Sequence, residues 1–325
     1  MEFATHLVED LALRMFASSA ATPSSREVFD AALWSTFCSS GLDKLLAGDE
    51  STALREATLM LRAAGFHAVR IPATEALLAN WLAARAGWNE TSFLPAVVTS
   101  PEGWAAVPWG RNATALYFLQ DGFIARCLGP PTVTRKSANL AGEPRDEIAR
   151  PTGALEVSSA PLDADELLCL AAVCRAAMIA GAMERALAFV VEYAGQRVQF
   201  GRPIGSFQAV QQMLAQLAAH AAAAGAAVDL AVAVRSSFTA AVAKSRASDA
   251  VGLVTEIAHQ VVGAIGFTAE FPLHHLTRRL WAWREEDGSE LFWNRRLGAL
   301  AAAHGGRGLW PLLCGTAAAE REWQA

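Results

Sequence analysis

The sequence has no excess of basic charge. Its 325 residues include 27 lysines and arginines against 32 aspartates and glutamates, which gives a formal net charge of −5 at pH 7. A nucleic-acid-binding surface needs clustered cations to neutralise phosphates, and no segment of this sequence concentrates lysine and arginine in that way. The composition therefore predicts no nucleic-acid partner.

Cysteine is scarce, and its spacing fits neither a disulfide framework nor a zinc site. The five cysteines are Cys38, Cys127, Cys169, Cys174 and Cys314. Because they are scattered and form no CxxC pair, they predict reduced core residues and no metal centre. The first residues also lack the basic region followed by an apolar run that marks a secretory signal. We therefore expect a cytoplasmic location.

Charge is missing altogether from residues 207–228, "FQAVQQMLAQLAAHAAAAGAAV". A stretch of this length without charge raises the question of a membrane span. Its residues are mostly alanine, glutamine and histidine rather than leucine and valine, which disfavours insertion into lipid. We therefore predict a packed helix here and no membrane span.

The texture of the sequence changes twice along the chain. Residues 1–92 repeat apolar side chains at helical spacing, and their helical runs end at glycines. Residues 93–158 break into short runs rich in β-branched and aromatic residues, divided by proline, glycine and asparagine, which is typical of strands. Residues 159–325 return to long, alanine-rich helical segments. The predicted fold class is mainly α, with a small β domain between two helical parts.

The stretch "QRVQFGRPIG" places Arg197 and Phe200 just before a turn that opens into a long helix. A guanidinium is a charged, forked donor suited to a phosphate, and a phenylalanine ring can contact another ring. This pair suits a nucleotide cofactor. The alternative is that Arg197 pairs with a surface carboxylate while Phe200 anchors the turn, and the pentapeptide alone leaves both interpretations open.

The wider context, residues 181–279, resembles the C-terminal helical domain of the acyl-CoA dehydrogenase family in motif order, spacing and residue types. The resemblance implies the family's fold, an N-terminal helical bundle, a middle β domain and a C-terminal four-helix bundle. It also implies that Arg197 and Phe200 bind the pyrophosphate and adenosine half of an FAD that lies mainly in a neighbouring subunit. Gln260 and Gly263 would complete that contact, although Ala264 replaces the second glycine of the family motif.

The family's reaction needs a carboxylate base and a flavin ring beside it. By the resemblance, Asp287 falls on one of the two expected base positions, next to Glu286, and the other position holds Ala171. An aspartate is one methylene shorter than the usual glutamate, and an acidic run of this kind is more often a solvated loop. The family motifs that hold the flavin ring are not found in residues 93–158, where "TSPEGW" is the nearest string.

Three functional hypotheses follow from the resemblance. In the first, the chain is one subunit of a heteromeric, FAD-dependent acyl-CoA dehydrogenase of the steroid side-chain type, an α2β2 heterotetramer whose paralogous partner supplies the flavin ring pocket and the catalytic glutamate. Its substrate would be an acyl-CoA, and an electron-transfer flavoprotein or a similar acceptor would reoxidise the flavin. In the second, it is a self-sufficient homo-oligomer with Asp287 or Glu286 as base. In the third, it is a flavin-free scaffold.

Overall fold

The computed structural model describes residues 2–20, 29–49, 52–88, 94–100, 103–268 and 270–313. The N-terminal part contains α1 (Glu2–Ala20), α2 (Ala31–Ser39), α3 (Ala53–Phe66) and α4 (Ala73–Ala86). Local chemistry sets the helix ends. For example, the carboxylate of Asp30 caps α2 by accepting a hydrogen bond from the Leu33 amide.

Two small sheets form the middle of the chain. One sheet has the strand order β1 (Pro95–Val97), β3 (Ala115–Gln120), β4 (Phe123–Leu128), β7 (Glu156–Pro161), with β1 parallel to β3 and the other pairs antiparallel. The other has the order β2 (Val107–Pro108), β6 (Arg145–Ile148), β5 (Val133–Arg135), all antiparallel.

Side chains of the first sheet alternate between two cores, as the strand period requires. Val97 and Tyr117 join the main helical core, whereas Val98 and Leu116 belong to a second, smaller core between the sheets. The sheet is therefore buried on both faces, and one face joins the β part to the helices.

The last part is a helical bundle. It consists of α5 (Ala164–Gln196), a short hairpin of β8 (Val198–Gln199) and β9 (Arg202–Pro203), then α6 (Gln208–Ala233), α7 (Ser237–Val262), α8 (Leu273–Glu285) and α9 (Glu290–Leu313), which is kinked at Gly305. Helix α5 is central: it packs against α3, α6, α7 and α8. The predicted order of helical, β and helical parts is confirmed.

The crossing of α3 and α5 depends on two glycines. A Cβ on Gly181 would lie 1.9 Å from the Arg62 carbonyl oxygen, and one on Gly65 would lie 2.0 Å from the Met178 carbonyl oxygen. The two helix backbones are therefore in direct contact, which only glycine permits. This contact fixes α5, and with it Arg175 and Arg197, relative to the N-terminal part.

Three helical stretches are long and apolar enough to cross a membrane, judged by length and composition: Ala164–Gln196, Gln208–Ala233 and Ser237–Phe267. The most apolar window of the first is 89% buried inside the protein, against 39% and 44% for the other two. The outer face of α6 carries Gln208, Gln212 and Gln216. Glutamine disfavours a lipid-facing surface, and the absence of a membrane span stays a prediction.

The predicted domain boundaries also stay predictions. The boundary at residues 92 and 93 lies outside the described residues, and β7 continues to Pro161, past the predicted boundary at residue 158. Four cysteines, Cys38, Cys127, Cys169 and Cys174, are unpaired, and Cys314 lies outside the described residues. Burial raises the pKa of Cys169 to about 12, so this thiol is unreactive near neutral pH.

Candidate cofactor and active-site regions

The hairpin after α5 presents Arg197 and Phe200 to solvent. Gln199 pairs with Arg202, so Phe200 and Gly201 form a two-residue turn, with φ of 51° and 78°. Two positive φ angles at these positions define a type I′ turn, in which a phenylalanine is unusual. Phe200 is 91% exposed, and its ring meets the Phe207 ring edge-on at 6.1 Å between centroids.

Arg197 is exposed and ends α5, with its backbone N–H donating to the Tyr193 carbonyl. Within the described part of the chain, its guanidinium makes no ion pair. The described residues therefore do not support the alternative in which Arg197 pairs with a surface carboxylate. Arg202, on the other strand of the hairpin, is also exposed and packs over the Phe207 ring at 4.2 Å.

Gln260 and Gly263 lie at the same end of the bundle as the hairpin. Helices α5 and α7 run parallel, because α6 connects them as the antiparallel member of the bundle. The Phe271 ring, just beyond α7, lies 5.6 Å from the Tyr193 ring near the end of α5. Gln260 is exposed, and Gly263 ends α7 with φ of 72°, a left-handed value that favours glycine.

Asp287 follows α8 in a turn that holds it tightly. Its Oδ2 lies 3.0 Å from Arg175 Nε, its Oδ1 accepts a hydrogen bond from the Thr99 hydroxyl at 3.2 Å, and its side chain is 7% exposed. Trp293 Nε1 donates to the Asp287 carbonyl at 3.0 Å. Both carboxylate oxygens are therefore already engaged within the chain.

Glu286 is engaged in the same way. Arg145 donates to both of its carboxylate oxygens, at 2.8 and 2.7 Å, and Asn139 donates to Oε1 at 2.9 Å. Burial raises the pKa of Glu286, but the guanidinium groups of Arg145 and Arg175 outweigh burial and hold that pKa below its usual value. A general base benefits from a raised pKa, so this environment opposes a role as base.

These pairs belong to a larger buried charge cluster that the sequence did not reveal. Glu75 of α4 contacts Arg175 at 3.0 Å, and Glu143 contacts Arg145 at 3.3 Å. The eight members, four carboxylates and four cations, come from all three parts of the chain: Glu75, Glu143, Glu286, Asp287, Arg145, Arg175, Arg279 and Lys244. The interpretation of the acidic run as a solvated loop is wrong for Glu286 and Asp287, although Glu285 is 62% exposed.

Lys244, in the first half of α7, is one of several cluster members that sequence reasoning missed. Its Nζ donates to the Ser248 hydroxyl at 3.0 Å, the Arg284 carbonyl at 2.8 Å and the Gly288 carbonyl at 2.9 Å. Burial lowers the pKa of Lys244 to about 7, although the charge of Asp287 opposes this. The signal was a lone lysine within the alanine-rich run "AVAKSRAS".

A cavity of about 820 Å3 adjoins the cluster, between the β part and the helices. Its walls include Glu286 and Asp287, together with Thr99, Ser100 and Gly103 from the string "TSPEGW". That string does not match the family's ring-holding motif, yet these three of its residues line the cavity. Ala171, at the other expected base position, is fully buried in α5.

The comparisons with known proteins bear on the bundle first. Residues 164–292 match the C-terminal domain family of acyl-CoA dehydrogenases. This part of the chain is therefore similar to the C-terminal domain of acyl-CoA dehydrogenases. Acyl-CoA dehydrogenase IpdE2 of Mycolicibacterium smegmatis is 43% identical over 109 residues, 34% of this chain and 35% of that protein. IpdE2 of Mycobacterium tuberculosis is 34% identical over 157 residues, 48% of this chain and 45% of that protein.

The aligned segments thus span less than half of these two relatives. Solved structures with the acyl-CoA dehydrogenase fold match a larger share of this chain. A variant of the Tcur3481-Tcur3483 steroid ACAD superposes with a TM-score of 0.79 at 21% identity, over 93% of this chain and 98% of that one. The ChsE4-ChsE5 complex from Mycobacterium tuberculosis gives 0.75 at 21% identity, over 92% and 97%. The predicted acyl-CoA dehydrogenase-like fold is confirmed.

Proposed function

We propose that this chain is one subunit of a heteromeric, FAD-dependent acyl-CoA dehydrogenase that introduces an α,β double bond into a CoA thioester. In this proposal the chain contributes contacts to the ADP half of FAD. A paralogous partner supplies the flavin ring pocket and the catalytic glutamate in an α2β2 assembly, and an electron-transfer flavoprotein or a similar acceptor receives the electrons. The assembly is cytoplasmic.

The observation that carries this proposal is the state of the two carboxylates beside the cavity. A base must accept the α-proton through a free oxygen lone pair at hydrogen-bond distance from the substrate. The carboxylate oxygens of Asp287 are held by Arg175 and Thr99, and those of Glu286 by Arg145 and Asn139. Protonation of either one would neutralise the carboxylate of a buried ion pair and leave its guanidinium less well compensated, so the base is better supplied by another chain.

The hairpin, in contrast, fits an anionic cofactor carried by a neighbour. Arg197 and Arg202 are exposed cations at one short hairpin, and the exposed Phe200 lies in its turn. FAD supplies the hydride acceptor for this reaction when it is bound. Arg197 would bind its phosphates through the guanidinium fork, Phe200 would contact its adenosine half, and Gln260 and Gly263 lie at the same end of the bundle to add polar and backbone contacts.

The names of the similar proteins support the partner and the substrate. IpdE2 is named an acyl-CoA dehydrogenase, and two of the structures with the same fold are named as pairs of chains, one of them a steroid ACAD. We therefore propose a bulky, steroid-type acyl group on the CoA thioester.

Arg197 provides the direct test. A charge-assisted hydrogen bond contributes about 1.5–3 kcal/mol, so Arg197→Ala should weaken FAD binding by the complex by about ten- to a hundredfold. Arg197→Lys should recover part of this, because it keeps the charge and loses the fork. Arg14→Ala, which removes an exposed arginine from α1, is the matched control and should leave FAD affinity unchanged.

The measurement is a flavin fluorescence titration of the apo-complex, with sedimentation to follow assembly. Because FAD would bridge two chains, its loss should also weaken the heteromer, and added FAD should restore it. Equal FAD affinity in wild type and Arg197→Ala would rule out the proposed cofactor contact.

One observation favours a second candidate, a self-sufficient flavoenzyme. The cavity beside Glu286 and Asp287 is within the usual size range of a ligand site. In that case the chain purified alone would be yellow and would oxidise acyl-CoA, whereas the heteromeric proposal expects a colourless chain that becomes active with its partner.

A further inference from the structure

Lys244 connects helix α7 to both sides of the α8–α9 loop, residues 286–289. Its Nζ bonds the carbonyl of Arg284, in the last turn of α8, at 2.8 Å, and the carbonyl of Gly288, within the loop, at 2.9 Å. The last carbonyls of a helix have no partner within the helix. The position of the loop, which includes two acidic residues of the charge cluster, therefore depends on a side chain of α7.

The surroundings of Lys244 lack the contact that a buried cation normally has. Each buried arginine of the cluster contacts a carboxylate, in the pairs Arg145–Glu286, Arg175–Asp287 and Arg279–Glu143. Lys244 is fully buried, and within the part of the chain that the structure describes it forms no ion pair. Burying a charge without a contacting opposite charge is costly. The position therefore suits an uncharged amine better than an ammonium.

Ser248, one turn further along α7, supplies the remaining contact of a neutral amine. An uncharged amine has two N–H donors and one lone pair. The two carbonyls take both donors, and the buried Ser248 hydroxyl, 3.0 Å from Nζ, can donate to the lone pair. In the ammonium form the hydroxyl oxygen must accept from Nζ instead. Its own hydrogen is then left with the Arg284 carbonyl at 3.4 Å, which is long for such a bond.

The charges nearest to Lys244 come from α5 and from the residues after α8. Burial lowers the pKa of Lys244 to about 7. The carboxylates of Asp287, Glu286 and Glu285 oppose this, and Arg175 of α5 adds to it. Both protonation states of Lys244 are therefore populated near neutral pH.

Helices α6 and α9 also pack against α7 and carry titratable groups that face it. Glu290 of α9 forms an ion pair with Arg284, and His220 of α6 contacts Arg246 of α7. Histidine ordinarily titrates near neutral pH. A test of Lys244 must therefore separate its effect from that of His220.

We infer that Lys244 and Ser248 form a pH-sensitive switch that holds the α8–α9 loop against α7 when the amine is neutral and favours its release when the amine takes up a proton. The ammonium has no contacting carboxylate while the loop is closed, and it regains its hydration when the loop opens. Glu286 and Asp287 line the cavity, so opening of the loop moves one of its walls. The switch requires neither FAD nor a partner chain, and the Arg197 experiment does not involve it.

The test is hydrogen exchange of the purified full chain, measured by mass spectrometry at several pH values. Division by the intrinsic exchange rate at each pH gives the opening equilibrium of the peptides that cover the loop. An open loop restores the ordinary pKa of 10.5, against about 7 when closed. Opening should therefore increase by about tenfold from pH 8 to pH 6. Loop peptides that open no more often than peptides of α5, which report global unfolding, would overturn the inference.

Variants assign the pH dependence to the two residues. Lys244→Met removes the amine and keeps an apolar chain, so it should increase loop opening at pH 8 and abolish the pH dependence. Ser248→Ala removes the donor to the neutral amine and should increase opening at pH 8 by about fivefold. His220→Gln is the control and should keep the wild-type pH dependence. A pH dependence retained in Lys244→Met or lost in His220→Gln would overturn the inference, as would equal loop opening in wild type and Ser248→Ala.

Discussion

Substitution of Asp287 separates a structural carboxylate from a catalytic one. Asp287→Asn keeps the shape of the side chain and removes its charge. Asparagine also tolerates the left-handed backbone at this position, where φ is 54°. Asp287→Ala removes the same charge but adds backbone strain, which costs about 1 kcal/mol or more for a non-glycine residue in this region. The pair of variants therefore distinguishes loss of charge from loss of backbone fit.

The size of the stability loss follows from what Arg175 retains. Breaking a buried ion pair costs about 3–5 kcal/mol when the remaining charge has no other partner. Arg175 keeps Glu75 at 3.0 Å and Glu286 at 3.5 Å. Because two carboxylates remain, we expect Asp287→Asn to lower the free energy of unfolding by about 2–3 kcal/mol, and Asp287→Ala to lower it by about 1 kcal/mol more.

Catalysis should respond differently. If a partner supplies the base, the assembled complex of either variant should dehydrogenate its substrate within a few-fold of the wild-type rate. Removal of a true general base costs about a hundred- to ten-thousandfold. Urea unfolding of the chain and the steady-state rate of the folded complex measure the two effects independently. A hundredfold loss of rate in a complex that still assembles would refute the half-site reasoning and make Asp287 the base.

Two further predictions concern the helices that hold the site. The pKa of Lys244 is about 7 in the folded chain, against an ordinary value of 10.5, so the unfolded chain binds the extra proton between these pH values. The penalty for burying the charge is fully present below pH 7, and the free energy of unfolding should rise by about 2–3 kcal/mol from pH 7 to about pH 9.5. In urea unfolding, Lys244→Met should lose this rise. An unchanged pH dependence in Lys244→Met would contradict the lowered pKa of Lys244. In thermal unfolding, Gly181→Ala should lower stability by about 3 kcal/mol, the upper end of the usual cost of overpacking, because its Cβ meets the Arg62 backbone. Gly195→Ala, which meets nothing within 4 Å on the same helix, should be neutral or slightly stabilising in the same thermal unfolding assay.

The order of the three parts was predictable because the signals are local. Helical periodicity, the glycines that end helices and the short β-branched runs all lie within windows of a few turns. The hairpin before α6 was equally visible in "QRVQFGRPIG", since turn residues specify turns over two to four positions. The position of Asp287 was predictable by counting along the chain from a motif of the family. The ion pair and hydrogen bonds that hold its side chain were not predictable in this way.

The charge cluster was hidden because its contacts are distant in sequence. Arg175 and Asp287 are 112 residues apart, and Arg145 and Glu286 are 141 residues apart. A run of three acidic residues after a helix gives no sign of which members are buried, and only Glu285 faces solvent. The cavity was hidden for the same reason, because its walls come from both sheets, α5, α8 and α9.

Phe200 and Asp287 share a left-handed backbone, with φ of 51° and 54°, but the chain stabilises them unequally. Such strain persists where surrounding contacts compensate for it, and it concentrates at functional sites. Asp287 has Arg175, Thr99 and Trp293 to hold it in place. Phe200 is 91% exposed, and its ring contact within the described chain is the edge of Phe207. Asparagine would fit this turn with less strain, so the presence of phenylalanine there makes sense if a bound molecule or chain covers the ring, as the proposed cofactor contact requires.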